Sequence, residues 1–123
     1  MRATIGPDLE LIRQPRRADL GDYDWFDIEQ AGTQVGKSRC RIEPDLFTVF
    51  SIMIYPEYEG HGYARAVIDH FKQEYSVIVA DRVRFTARTF WLKVGFTPES
   101  IDRYIWQAQG TVLQGGVQSP QSG

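Results

Sequence analysis

Residues 46–56, LFTVFSIMIYP, run almost without interruption through β-branched and aromatic side chains. Such a run offers no polar face to water, so it reads as a central strand buried on both faces. Pro56 stops it, because proline cannot donate to a strand ladder. Gly60 and Gly62 follow, and the apolar spacing then turns helical through Ala64, Val67, Ile68, Phe71 and Tyr75. Arg65 and Asp69 lie one turn apart on the other side of that helix, where they can pair. The stretch 76–85, SVIVADRVRF, returns as a strand. Strand 46–56, helix 62–75 and strand 76–83 make a βαβ unit, which obliges its two strands to run parallel.

The rest of the chain reads mostly as hairpins. A short strand or turn is expected near Leu9–Ile12. Residues 23–30 alternate and are rich in aromatics, AGT turns, and QVGKSRCRIEP returns. Val35, Cys40 and Ile42 cannot all share one face by strict alternation, so a bulge is expected at Gly36. After the βαβ unit, TARTFWLKVGF predicts a short helix with Thr86 as N-cap and Gly95 as its stop, and DRYIWQAQ a last strand. The first 45 residues look strand-rich. The fold class is therefore α+β, a mixed α/β arrangement with one largely antiparallel sheet and one parallel pair. Residues 1–108 are expected to form a single domain, and 109–123, rich in Gly, Gln, Ser and Pro, a disordered tail.

Composition narrows the function. At 123 residues with a net charge of -2, the chain lacks the basic character of a nonspecific nucleic-acid binder. Cys40 is the single cysteine, so no intramolecular disulfide can form, and its place in an alternating stretch reads as a packed thiol. His61 and His70 are the only histidines, and no metal site is expected. No basic-then-apolar leader opens the chain and no apolar run reaches membrane length, so a cytoplasmic location without membrane contact is expected.

The turn PEYEGHGYARAVIDHF, 56–71, is open to two readings from its residues alone. It could be a flexible connector. It could also cradle an anion, since the first amides of a helix lack internal partners and glycines let a phosphate approach the backbone. The phosphate loop ending in Lys-Ser/Thr does not fit, and the third glycine of a dinucleotide fingerprint is absent.

The stretch IMIYPEYEGHGYARAVIDHF resembles motif A of the GNAT superfamily, the acyl-CoA-dependent N-acetyltransferases. In that family a strand leads to Gln/Arg-x-x-Gly-x-Gly/Ala and a helix, which falls here on Glu59, Gly60, His61, Gly62, Tyr63 and Ala64. RTFWLKVGF is similar to the family's later Tyr-x-Lys-x-Gly-Phe pattern through Trp91, Lys93, Gly95 and Phe96. The two motifs stand in the family's order, separated by a strand, and the likeness covers residues 46–106. It implies a GNAT-like sheet with splayed strands, with the usual N-terminal helices reduced. It also implies acetyl-CoA as acyl donor, with its pyrophosphate on the amides of 60–65, Arg65 included. The backbone of Ile52, Met53 and Ile54 would meet the pantetheine arm, and Trp91 and Lys93 would line the cofactor site. The acceptor would be an unidentified primary amine of a small molecule or protein.

The chain departs from that pattern at the chemistry. Glu59 replaces Gln or Arg. Trp91 replaces the tyrosine that protonates the thiolate, and indole has no usable acidity. Thr48 and Ser51 are the only polar residues where the family often keeps an acidic base. Tyr104 and Ser51 are the remaining candidates for proton transfer. A noncatalytic GNAT-like binding or interaction domain is therefore a second expectation, and pairing of two copies through an exposed sheet edge a further one. Arg82, Arg84 and Arg88 read as a solvated basic face that could instead meet a nucleotide phosphate or a polyanion. Trp25, Phe26, Phe47 and Phe50 read as core.

Overall fold

The computed structural model of the chain describes residues 2–15 and 21–109, so all but the first residue of the expected 109–123 tail lies outside it. The described residues form eight strands: β1 (Arg2–Gly6), β2 (Leu9–Arg13), β3 (Asp24–Gln30), β4 (Thr33–Glu43), β5 (Leu46–Ile54), β6 (Val77–Ala80), β7 (Thr97–Pro98) and β8 (Tyr104–Gln107). Helix α1 (Tyr63–Glu74) joins β5 to β6, and α2 (Arg88–Lys93) follows β6. All strands lie in one sheet of order β1-β2-β3-β4-β5-β6-β8-β7. Only β5 and β6 pair in parallel, as the βαβ reading requires.

Two bulges set the faces of this sheet. Ile28 is paired with Gly36 and Glu29 with Gln34, which leaves Val35 as the extra residue and turns it into the core at 1% exposure. This is the bulge that the parity conflict around Cys40 called for. Gly36 makes it feasible, because a Cβ there would lie 2.2 Å from the Met53 carbonyl oxygen. A second bulge falls in β5, where Arg39 pairs with Ser51 but Cys40 with Val49, so that Phe50 has no partner.

One face carries both helices. Val67, Ile68 and Phe71 of α1 and Trp91 of α2 join Phe26, Ile28, Cys40, Phe47, Val49, Ile78 and Tyr104 in a single buried cluster. Phe71 sits between Phe26, 5.5 Å between ring centres, and Phe47 at 4.5 Å, while Tyr75 stacks on Phe47 at 4.3 Å. The Lys72 ammonium donates to the Val94 carbonyl and lies over the Trp106 ring, tying α1 to the end of α2. Asp24 is buried in the same sheet, accepting from the Ile42 amide at 2.8 Å and from Arg13 Nη2 at 3.0 Å. By alternation, Trp25, Lys37, Arg39 and Arg41 stand on the opposite face, on which neither helix rests.

Several expectations need correction. β5 is buried on both faces only through Phe47, Thr48 and Val49, whereas Ser51 and Met53 are exposed because neither α1 nor α2 covers their side of the sheet. β6 ends at Ala80 rather than 83, since Arg82 adopts a left-handed backbone with φ 57°. Thr86 is not an N-cap: it lies inside a 3-10 turn, Phe85–Ala87, and no side chain caps α2. Trp25 and Phe50 are half-buried on the helix-free side, not core. Gly95 does stop α2, with φ 95°; its amide bonds to Leu92 and that of Phe96 to Trp91, the paired closure a left-handed residue permits.

The Gly36 contact gives a test of the sheet. Gly36→Ala should lower stability by about 2 kcal/mol, because the clash is with backbone and cannot be relieved by a rotamer change. Urea unfolding would register this as a lower midpoint with an unchanged slope.

Candidate functional site

β5 is paired with β6 only from Phe47 to Val49, opposite Ile78–Ala80, and the Asp81 amide makes the closing bond to the Val49 carbonyl. Beyond that point β5 continues to Ile54 on β4 alone. The two central strands therefore part, and a cleft opens inside the sheet just past Val49. The Tyr55 amide donates to the Val35 carbonyl, so the backbones of 55 and 53 face β4. By the two-residue alternation of a strand, the backbones of Ile52 and Ile54 face the cleft. Met53 is thus held to β4, and half of its side chain is exposed on the helix-free face.

The cleft leads to the glycine turn. A 3-10 turn over Pro56–Tyr58 closes on the Glu59 amide, and Gly60 and Gly62 take φ 87° and 78°. Gly62 is the N-cap of α1 and no side chain caps it. The first amide to find a helical partner is that of Ala66, on the Gly62 carbonyl at 3.0 Å. The amides of Tyr63, Ala64 and Arg65 therefore have no partner within the helix, at the end where its dipole is positive. A Cβ built on Gly60 or Gly62 meets nothing within 4 Å, so the glycines serve the left-handed backbone and leave open space above it. His61 stacks on Tyr63 at 5.4 Å between ring centres, and Glu59 and Arg65 are exposed at the rim.

The residues expected to move protons are not brought together. Tyr104 is buried in β8 opposite Ala80, on the helix-bearing face, and its hydroxyl accepts from Arg88 Nε at 2.9 Å. Ser51 is exposed on the helix-free face, paired with Arg39. Trp91 is a core residue at 4% exposure, wedged edge-on against Phe90 and Phe96, and Lys93 is exposed at the end of α2. Cys40 is fully buried, and that burial pushes its thiol up to about 12, only partly offset by a hydrogen bond with Ser38. Among the described residues no group of His, Cys, Asp or Glu could hold a metal ion, and no helix is long and apolar enough to cross a membrane.

The arginines regroup. Arg88 turns to Tyr104 and lies over the exposed Phe85 ring, while Arg82 reaches the other side of the sheet and lies over Phe50. There it meets Arg39 and Arg41, two residues that sequence reasoning passed over. The available signal was the alternation of Lys37, Arg39 and Arg41, every second residue of one strand.

No family model matches the chain. The chain is 32% identical over 78 residues to an uncharacterized N-acetyltransferase of Shouchella clausii, covering 57% of this chain and 47% of that protein. It spans about half the length of the curated relatives it matches. Its fold superposes on a GNAT-family acetyltransferase of Desulfovibrio desulfuricans with TM-score 0.60 and 14% identity, over 74% of this chain and 72% of the other. The chain has the GNAT fold. The YhhK protein of Escherichia coli, solved bound to coenzyme A, shares this fold at TM-score 0.67 and 10% identity, over 81% of this chain and 98% of that one. In the GNAT fold of this chain, one parallel pair and a parted sheet match the arrangement that the motifs implied.

Burial of Cys40 has a chemical consequence. The native thiol should resist a disulfide exchange reagent at pH 8 and react fully once the protein is unfolded in denaturant. The unfolded thiol ionises near its ordinary value and the folded one only at about 12. Stability should therefore fall as pH rises above the unfolded value, and pH-dependent denaturation would register the decline.

Proposed function

We propose that this chain carries an N-acetyltransferase domain that moves an acetyl group from acetyl-CoA to a primary amine. The observation that carries this reading is the continuity of the parted strand with an uncapped, glycine-opened helix start. The amides of 60–65 suit the cofactor's pyrophosphate, which needs donors and a positive dipole end. The cleft-facing backbones of Ile52 and Ile54 suit the amides of the pantetheine arm, which would take the place of the strand that β6 does not supply. Acetyl-CoA supplies the activated acyl group. That YhhK was solved with coenzyme A supports the same fit.

The chain's own contribution is largely positioning. A donor laid along Ile54 and Ile52 is directed toward Phe50, where renewed pairing with β6 closes the cleft. The helix-bearing face is filled by α1 and α2, so an amine reaches that point from the helix-free face. Tyr104 accepts a hydrogen bond from Arg88 and so keeps its own proton to give, which makes it the candidate acid. Ser51, exposed on the amine's side, is the candidate to pass on the proton the amine loses. One observation favours a binding domain without turnover instead: those two residues lie on opposite faces of the sheet.

Titration calorimetry with acetyl-CoA tests the reading, and no binding at millimolar cofactor overturns it. Gly62→Ala should weaken binding by at least about tenfold, since it opposes the left-handed cap and fills the space above the amides. A thiol-release assay over an amine panel then separates the two alternatives. Turnover that Gly62→Ala abolishes would exclude the noncatalytic one.

A further inference from the structure

Three guanidinium groups converge on one ring at the closed end of the cleft. Arg39, Arg41 and Arg82 lie 5.9, 5.3 and 5.3 Å from the centre of the Phe50 ring, and Arg39 and Arg41 also flank Tyr23 at 4.7 and 5.6 Å. Like charges gathered around one ring repel, and an anion set among them would offset that repulsion. Among the described residues no carboxylate lies within ion-pair distance of any of the three. The nearby acids are engaged elsewhere: Asp27 with Gln14 and Gln34, and Asp81 with the Arg82 amide and Arg103. Nε of Arg39 and Nε of Arg41 are both shielded from water and have no hydrogen-bond partner. The Tyr23 and Phe50 rings lie against both guanidinium groups, so the donors left for a ligand are the terminal amino groups, and the Nε–H groups report on it from behind.

Their position supplies the meaning. Phe50 is the unpaired residue of the β5 bulge, immediately past Val49, where pairing with β6 ends. Arg39 stands opposite Ser51 and Arg41 opposite Thr48, on the face free of helices. Arg82 arrives from the end of β6 on a left-handed backbone that an arginine adopts at a cost, and it reaches over the same ring. The cluster therefore borders the side from which the acceptor approaches. Guanidinium groups in a fixed fork recognise planar or tetrahedral oxyanions.

We propose that Arg39, Arg41 and Arg82 form an acceptor subsite for an oxyanion, so that the amine acetylated here belongs to a small molecule carrying a carboxylate or a phosphate. This rests on the acetyltransferase reading for its role, but the anion site itself can be measured separately. Matched pairs distinguish the two oxyanions: β-alanine against ethylamine, and O-phosphoethanolamine against ethanolamine. In a thiol-release assay the favoured anionic amine should exceed its neutral partner in kcat/KM by at least about tenfold. Arg41→Gln should erase that preference while acetyl-CoA affinity stays in place, and Arg41→Lys should retain part of it. Independently of turnover, nuclear magnetic resonance of the arginine Nε–H groups in the coenzyme A-saturated protein reports binding. Shifts of Arg39 and Arg41 on adding β-alanine or O-phosphoethanolamine, absent with the neutral amines, support the subsite. Equal rates for both members of each pair, or unmoved Nε–H signals with both anions at millimolar concentration, overturn it. Loss of acetyl-CoA binding alone would instead count against the acetyltransferase reading, and the same resonance measurement on the cofactor-free protein would still decide the anion site.

Discussion

A strand in the middle of a sheet must satisfy its backbone on both sides, and β5 does so for only part of its length. Val49 receives the last bond from the β6 side, through the Asp81 amide, while the ladder to β4 continues to Ile54. Every other feature of the site follows from that early ending. The cleft exists because β6 stops, the free backbones of Ile52 and Ile54 line it, and the glycine turn lies at its far end. Arg82 enforces the ending, because its left-handed backbone at φ 57° takes the chain out of the sheet.

The two bulges then decide what each face of the parted sheet carries. The Val35 bulge lets β4 place Val35, Ser38 and Cys40 inward and Lys37, Arg39 and Arg41 outward. The Phe50 bulge shifts β5 so that Val49 belongs to the core while Ser51 and Met53 face away from the helices. The helix-free face and the core are therefore divided by single residues rather than by separate layers. Lys72 adds a tie between the helices, so that α2 and α1 cover the core as a unit.

Much of this could be read from the chain, and the misses have physical causes. The βαβ unit was legible because the apolar spacing changes from continuous to helical and back. The bulge beside Gly36 was legible because Val35 and Cys40, both apolar, are an odd number of residues apart and could not share one face without it. The Phe50 bulge was hidden, since an aromatic residue suits either side of a strand. β6 looked longer because Val83 continues its apolar pattern, and nothing in ADRV announces the backbone turn at Arg82. β1 escaped because five residues ending in Gly6-Pro7 carry little periodicity. At the site, the glycine turn and the cleft strand were readable from local order. The arginine cluster was not, because it joins β4 to the end of β6 through a crossover that local spacing does not reveal. Tyr104 and Ser51 were chosen by residue type, and residue type does not say which face of a sheet a side chain occupies.

The recessed edge of β5 also bears on which strand edges of this chain another polypeptide could pair with. An unpaired strand edge on the outside of a sheet is a template for aggregation. The outer strands here are blunted: β1 carries Arg2 in ion pairs with Glu10 and Glu29, and β7 is two residues long and contains Pro98. The unpaired edge from Ile52 to Ile54 instead lies inside the sheet, past the end of β6. A whole foreign strand, with side chains alternating above and below, has no way to slot in there. A thin chain bearing amides but no such side chains does. The same recess that offers hydrogen bonds to a slender ligand withholds them from another polypeptide, so the appetite for a missing strand is kept without its usual hazard.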